Sequence, residues 1–262
     1  MPRFCANVSM LFTELRLLER FAAAREAGFT AVEIQFPYEA QLEDLARAVE
    51  GAGVAVTLIN FPAGDMAKGD RGLGALPGRV EEFRAGIPRA RGYAERLGAA
   101  RINLLAGVPP RDADPGACRA AMLENMYEAA RAVTDIGATV VIEAINTRDV
   151  PGFYVRHSQQ AIDLIDAVGG DNIALQYDLY HMQIMEGDLI PTLTRLKDRI
   201  GHIQFADTPG RHEPGTGEIN YANVFAAIDR IGYAGFVGAE YRPSGATIDS
   251  LGWFAPWRKK GA

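Results

Sequence analysis

Cysteine is almost missing from this chain: Cys5 and Cys118 are the only two in 262 residues. That excludes a disulfide framework and any CxxC metal or redox motif. Histidine is nearly as sparse. His157, His181, His202 and His212 are scattered, with no HExxH pair, so a multinuclear zinc centre lacks imidazole ligands. Basic charge is in deficit, 27 Lys+Arg against 33 Asp+Glu for a net charge of −6, which argues against nucleic acid or an anionic membrane as partner. No stretch approaches the roughly 20 apolar residues of a membrane span. Near the N-terminus, Asn7, Ser9, Thr13 and Glu14 interrupt the apolar residues, so no signal peptide is read there and a cytoplasmic protein is expected.

What is present is an ordinary globular composition, 48% apolar and 23% charged. Short β-rich runs at 4–7, 31–35, 54–60, 101–105, 139–143, 173–177, 201–205 and 236–240 alternate with helical patterns at 14–27, 41–51, 80–97, 117–136, 158–168 and 221–231. Gly28, Gly53, Gly98, Gly137, Gly169 and Gly232 fit helix stops. Eight such strands make either a closed barrel or an open doubly wound sheet. The first strand runs into Asn7-Val8-Ser9-Met10 without a glycine, and the cluster Gly72, Gly74, Gly78 has the wrong spacing for a dinucleotide turn. The preferred reading is therefore a single α/β domain over 1–262, a (β/α)₈ TIM barrel, with the open sheet as its rival. Two longer connections, 61–79 and 106–116, follow strands and so fall on the active face, as mobile loops or as a lid.

Four consecutive strand units carry a polar residue where an apolar core strand should end: Glu143, Asp178, Gln204 and Glu240. A buried carboxylate is costly unless paired or metal-bound. Three carboxylates and an amide offer only oxygen ligands, which suits a hard divalent cation such as Mg²⁺ or Mn²⁺. Glu143 and Glu240 flank the other two in strand order, so they are the candidate catalytic pair. A polarised carbonyl acidifies its neighbouring C–H, one carboxylate removes that proton, and either returns it to the adjacent carbon. That is aldose–ketose isomerisation.

The chain resembles the hydroxypyruvate isomerase family, within the wider group of xylose-isomerase-like barrels that includes ketose 3-epimerases. The resemblance is carried by FCANVSMLFTE at 4–14, AVEIQFPY at 31–38, NFPAGD at 60–65, IEAINTR at 142–148, QYDLYH at 176–181, HIQFAD at 202–207, PGRHEPGTGEIN at 209–220 and GAEYRP at 238–243. It implies a (β/α)₈ barrel that interconverts hydroxypyruvate and tartronate semialdehyde, with Glu143 and Glu240 as proton donor and acceptor. In the wider group, the positions matching Glu143, Asp178, Gln204 and Glu240 hold the divalent metal; the sugar epimerases generally have His at the Gln204 position. Ala144 stands where the family pattern has Pro. Relatives that isomerise 2-oxo-tetronates make a four-carbon substrate the alternative, beside a ketose 3-epimerase.

An α-oxo acid brings a carboxylate that wants a cation or donors. His181 and Arg211 are the candidates, with Lys68 and Arg71 in the long loop as alternatives. Asn7 and Glu33 either line the pocket or hydrogen-bond within the barrel mouth, and His202 packs or bonds at the start of the seventh strand. Trp253 and Trp257 in the tail close the barrel or form a subunit contact, so a homo-oligomer stays open. Two further classes stand as rivals, a barrel nuclease for abasic DNA and a non-catalytic sugar-acid sensor.

Overall fold

Within Thr139-Val-Val-Ile-Glu, Val140, Val141 and Ile142 put apolar side chains on both faces, as a strand covered by helices on one side and by the barrel interior on the other requires. It forms β5 (Thr139–Glu143). The other strands are β1 (Arg3–Asn7), β2 (Ala31–Glu33), β3 (Ala55–Asn60), β4 (Arg101–Leu104), β6 (Ile173–Asp178), β7 (Ile200–Phe205) and β8 (Phe236–Ala239). In the computed structural model, which describes residues 1–257, these strands pair in parallel in chain order. β8 returns to β1 through Arg3 opposite Phe236 and Ala6 opposite Ala239, closing a (β/α)₈ barrel. The open sheet is thereby ruled out.

The helices around it are α1 (Arg20–Glu26), α2 (Leu42–Ala52), α3 (Val80–Leu97), α4 (Pro115–Val133), α5 (Ser158–Val168), α6 (Leu179–Met185), α7 (Leu189–Leu196) and α8 (Tyr221–Arg230). All six glycines expected to stop helices have positive φ; Gly53 and Gly98, at 64° and 65°, cap α2 and α3 in the left-handed conformation. α4 starts two residues earlier than its periodicity indicates. Asp114 caps it by accepting from the Ala117 backbone N–H at 2.7 Å, with Pro115 at the first helical position.

Two features differ from the sequence expectation. Residues 179–196 form α6 and α7, short helices separated by Gly187 and by Asp188, both at positive φ. The eighth helical position is filled by 3₁₀ turns over Thr247–Trp257. There Phe254 stacks on Phe29 at 4.2 Å, and Trp253 and Trp257 pack edge-on against Phe4 and near Phe225. Both tryptophans therefore help close the ring between α8 and α1.

The 61–79 connection is anchored rather than loose. Gly72 bridges to Ala106 in the next long connection, and a side chain at Gly72 would meet the Leu105 carbonyl at 2.4 Å. Asp70 pairs with Arg79 at 2.6 Å. Among the described residues, no helix is long and apolar enough to cross a membrane.

The apolar core lies between barrel and helices, while the barrel interior is polar. Glu33 on β2 accepts from Cys5 and Asn7 on β1 and from Gln204 on β7, and it faces His202 Nε2 at 2.6 Å. To reach β7 its carboxylate crosses β8 at Gly238, where a Cβ would sit 1.7 Å from Glu33 Oε1. Asn7, Glu33 and His202 thus bond within the barrel. The ligand atoms of Cys5, Glu33 and His202 lie within 4.8 Å of one another, and both Glu33 oxygens are engaged in these hydrogen bonds.

Candidate active site

The carboxyl ends of the strands open into a cavity of about 610 Å³ lined by Gln35, Asn103, Glu143, His181, Arg211 and Glu240 among others. This is the face at which TIM-barrel sites are built. Glu143 ends β5, Asp178 ends β6, and Glu240 follows β8, so the three acids converge as the sequence predicts; each is at most 5% exposed.

Each glutamate is held by one oxygen. Glu143 Oε2 accepts from Asn103 Nδ2 at 2.8 Å. Glu240 Oε1 accepts from Gln35 Nε2 at 2.9 Å and from the Arg211 guanidinium at 2.7 Å. Burial and the neighbouring Asp178 charge push Glu143 up to about 8. Burial also raises Glu240 well above the usual carboxylate range; Arg211 opposes the shift, and Glu143 and Asp178 add to it. Asp178 is raised by burial as well. Its Oδ1 caps α6 by accepting from the Tyr180 backbone N–H at 2.8 Å, whereas its buried Oδ2 has no hydrogen-bond partner.

His181 sits on the first turn of α6, with Nε2 3.6 Å from Asp178 Oδ2 and 3.8 Å from Glu143 Oε1. Its Nδ1 faces Asn146 Nδ2 at 2.7 Å, and that amide is oriented by Asp149, which accepts from its nitrogen and donates to its oxygen. Asn146 therefore donates to Nδ1 and the proton lies on Nε2. Burial, then Arg211, lowers the His181 pKa well below its ordinary value, so a neutral ring aims one N–H into the cavity.

Arg211 comes from the β7–α8 connection, shaped by Asp207. The Asp207 carboxylate accepts from the backbone N–H groups of Thr208, Gly215, Gly217 and Ile219. Arg211 itself has φ 60° and lies 5.1 Å over the Tyr180 ring.

The other expected residues fall differently. Gln204 lines the cavity floor with its amide engaged: Nε2 donates to Glu33 Oε2 at 2.7 Å and Oε1 accepts from Gln176 Nε2. Arg71 reaches the cavity mouth. Lys68, expected as a lid cation, is corrected: it pairs with Asp65 at 2.9 Å with its side chain 84% exposed, and it is not among the cavity-lining residues. Sequence reasoning did not single out Gln35 or Asn103. Asn103 lies within β4, one residue before its end, and Gln35 lies two residues beyond β2, so neither stands at the strand-end position that marked the acids.

The donor set fits a hard divalent cation. Glu143, Asp178 and His181 bring ligand atoms within 4.8 Å of one another, Glu240 lies beside them across Arg211, and Asp178 keeps a buried oxygen without a partner, which a cation would satisfy. His181 is less suited as a ligand, because its Nε2 carries the proton.

A family model described as a xylose isomerase-like TIM barrel matches residues 21–257. The chain is 47% identical over 257 residues to the 2-oxo-tetronate isomerase of Cupriavidus necator, covering 98% of this chain and 99% of that one. It is 46% identical over 258 residues to the hydroxypyruvate isomerase of Escherichia coli, covering 98% and 100%. A solved structure described as an AP endonuclease, family 2, from Brucella melitensis superposes with a TM-score of 0.96 at 41% identity, covering 99% and 100%. Barrel closure, the convergent strand-end acids and these matches agree: the chain belongs to the xylose isomerase-like TIM barrel family.

Proposed function

We propose that this protein is an isomerase of small hydroxy-oxo acids that interconverts hydroxypyruvate and tartronate semialdehyde (2-hydroxy-3-oxopropanoate). The observation that carries the reading is the pair of buried glutamates, Glu143 at the end of β5 and Glu240 after β8, that line one cavity and are both raised in pKa. The ionised member takes a proton from C3 of hydroxypyruvate, giving an enediolate. The protonated member delivers a proton to C2, while the hydroxyl proton passes from the C3 oxygen to the C2 oxygen. The reverse reaction exchanges the two roles.

The neutral His181 N–H donates to the oxygen where negative charge develops. Arg211 is the cation nearest the reacting groups and the match for the substrate carboxylate. Asn103 and Gln35 keep one oxygen of each glutamate occupied, so the other faces the substrate. A divalent cation, Mg²⁺ or Mn²⁺, would be held by Glu143, Asp178 and Glu240 with Gln204 beneath them, and when bound would supply charge that acidifies the C–H beside the carbonyl.

A second substrate, a four-carbon 2-oxo-tetronate, is favoured by the relative at 47% identity that carries that name. The net charge of −6 supports a small acid over nucleic acid. Free, buried Cys5 and Cys118 suit a reducing compartment and so a cytoplasmic location.

The test is proton NMR of hydroxypyruvate in D₂O, with a 2-oxo-tetronate in parallel, each with Mg²⁺ or Mn²⁺ and again with chelator. Tartronate semialdehyde, or enzyme-dependent deuterium entry at C3, is the expected result, with loss under chelator. Glu240→Gln should lower turnover by at least about 10²-fold while leaving the circular dichroism unchanged. An active, well-folded Glu240→Gln protein would sink the two-glutamate mechanism.

A further inference from the structure

Arg211 stands among the acids as the carboxylate set's own cation. Its guanidinium is 2.7 Å from Glu240 Oε1 and 3.6 Å from Asp178 Oδ2, between two of the three acids that fit a divalent cation. The arrangement is incomplete on both sides. Arg211 Nε is buried without a hydrogen-bond partner, and so is Asp178 Oδ2, since 3.6 Å is beyond hydrogen-bond reach. A buried donor and a buried acceptor left unpaired each cost free energy. Both gain partners if a divalent cation takes the acids and the guanidinium turns to an incoming carboxylate, which accepts Nε–H and an Nη–H together in a fork.

The backbone is not what would move. The Arg211 carbonyl accepts from the Arg242 N–H at 2.7 Å, and Asp207 N–H donates to the His212 carbonyl at 2.8 Å, so both neighbours of the turn are pinned. A divalent cation on Asp178 Oδ2 and Glu240 would stand close beside the guanidinium, and two cations that near in a buried site repel strongly.

We propose that a divalent cation displaces the Arg211 guanidinium from Glu240 and Asp178 and frees it to bind the substrate carboxylate, so that metal and acid bind with positive coupling. This rests on the reading that the site takes a divalent cation and an oxo acid. Arg211 is then a placeholder in the metal-free site and a substrate anchor in the loaded one. Coupling is reciprocal: the metal strengthens acid binding by the factor by which the acid strengthens metal binding.

The experiment follows the Arg211 Nε–H resonance by NMR, identified by its absence in Arg211→Lys, while Mg²⁺ alone is titrated into the wild-type protein and tartronate is added afterwards. The resonance should shift on Mg²⁺ saturation, as the group leaves Glu240 and the Tyr180 ring, and shift again with tartronate. By calorimetry, Arg211→Met should bind Mn²⁺ about tenfold more tightly than wild type. An unmoved resonance at saturating Mg²⁺ overturns the proposal even if Mn²⁺ affinity rises, because simple repulsion explains the latter. Absence of Mg²⁺ binding, or unchanged Mn²⁺ affinity in Arg211→Met, overturns it too. None of these readings uses turnover. An active isomerase with an unmoved Arg211 loses only this inference, and a displaced Arg211 without turnover of hydroxypyruvate loses only the functional reading.

Discussion

Burial at the end of β5, with Asp178 beside it, raises the pKa at which Glu143 gives up its proton to about 8. An unfolded chain would release that proton near about 4.3. Between those values the folded state binds more protons than the unfolded one, so stability is full below the lower value and is lost as pH rises through the higher. Asp178 and Glu240, also raised, act with the same sign. With chelator present, Tm should therefore fall between pH 5 and pH 8, and Glu143→Gln should flatten the slope; a Tm that climbs over that range would contradict the assignment. At this scale the acids were legible, since a carboxylate in an apolar strand demands an explanation. Gln35 and Asn103 were less so, because neither stands at a strand end and an amide costs less to bury. Their partners, Glu240 and Glu143, are distant in sequence.

The β7–α8 connection owes its shape to one side chain. The Asp207 carboxylate gathers four backbone N–H groups, and Gly217 leaves space that a Cβ would fill 2.2 Å from the Thr208 carbonyl. That explains why residues 209–220 carry so specific a sequence: the turn places Arg211. Asp207→Ala should cost about 3 kcal/mol in denaturant unfolding, since it leaves the buried N–H groups of Thr208 and Ile219 without partners. It should also speed hydrogen exchange at Gly215, Gly217 and Ile219; unchanged exchange there would show that the loop is held by something else. Elements with sustained helical period, such as α3 and α5, were readable end to end. α6 and α7 were not, because each is at most 8 residues and α6 begins directly on the functional Asp178.

Across the molecule, Glu33 ties β1, β2 and β7 together through the barrel interior. Gly238→Ala would drive a methyl group into the Glu33 carboxylate and disturb Gln204 on the cavity floor. The expected loss is about 1–3 kcal/mol, of the size seen when a packed interior is overfilled. Thermal unfolding reads it directly, and a Gly238→Ala protein as stable as wild type would mean that the network shifts without cost. The tail belongs to the same scale. Phe254 on Phe29 and the two tryptophans near Phe4 and Phe225 complete the outer layer between α8 and α1, around a barrel that the eight strands close by themselves.

The alternation of strand and helix, the glycine stops and the strand-end acids were determined by sequence alone, because each is a local consequence of backbone geometry or of the cost of burying charge. Barrel closure, the Arg211 contact with Glu240 and Asp178, the tautomer of His181 and the turn of Gln204 toward Glu33 were decided by tertiary structure. Each depends on which groups from distant strands meet inside a shared, water-poor space, and no one-dimensional pattern records that distance.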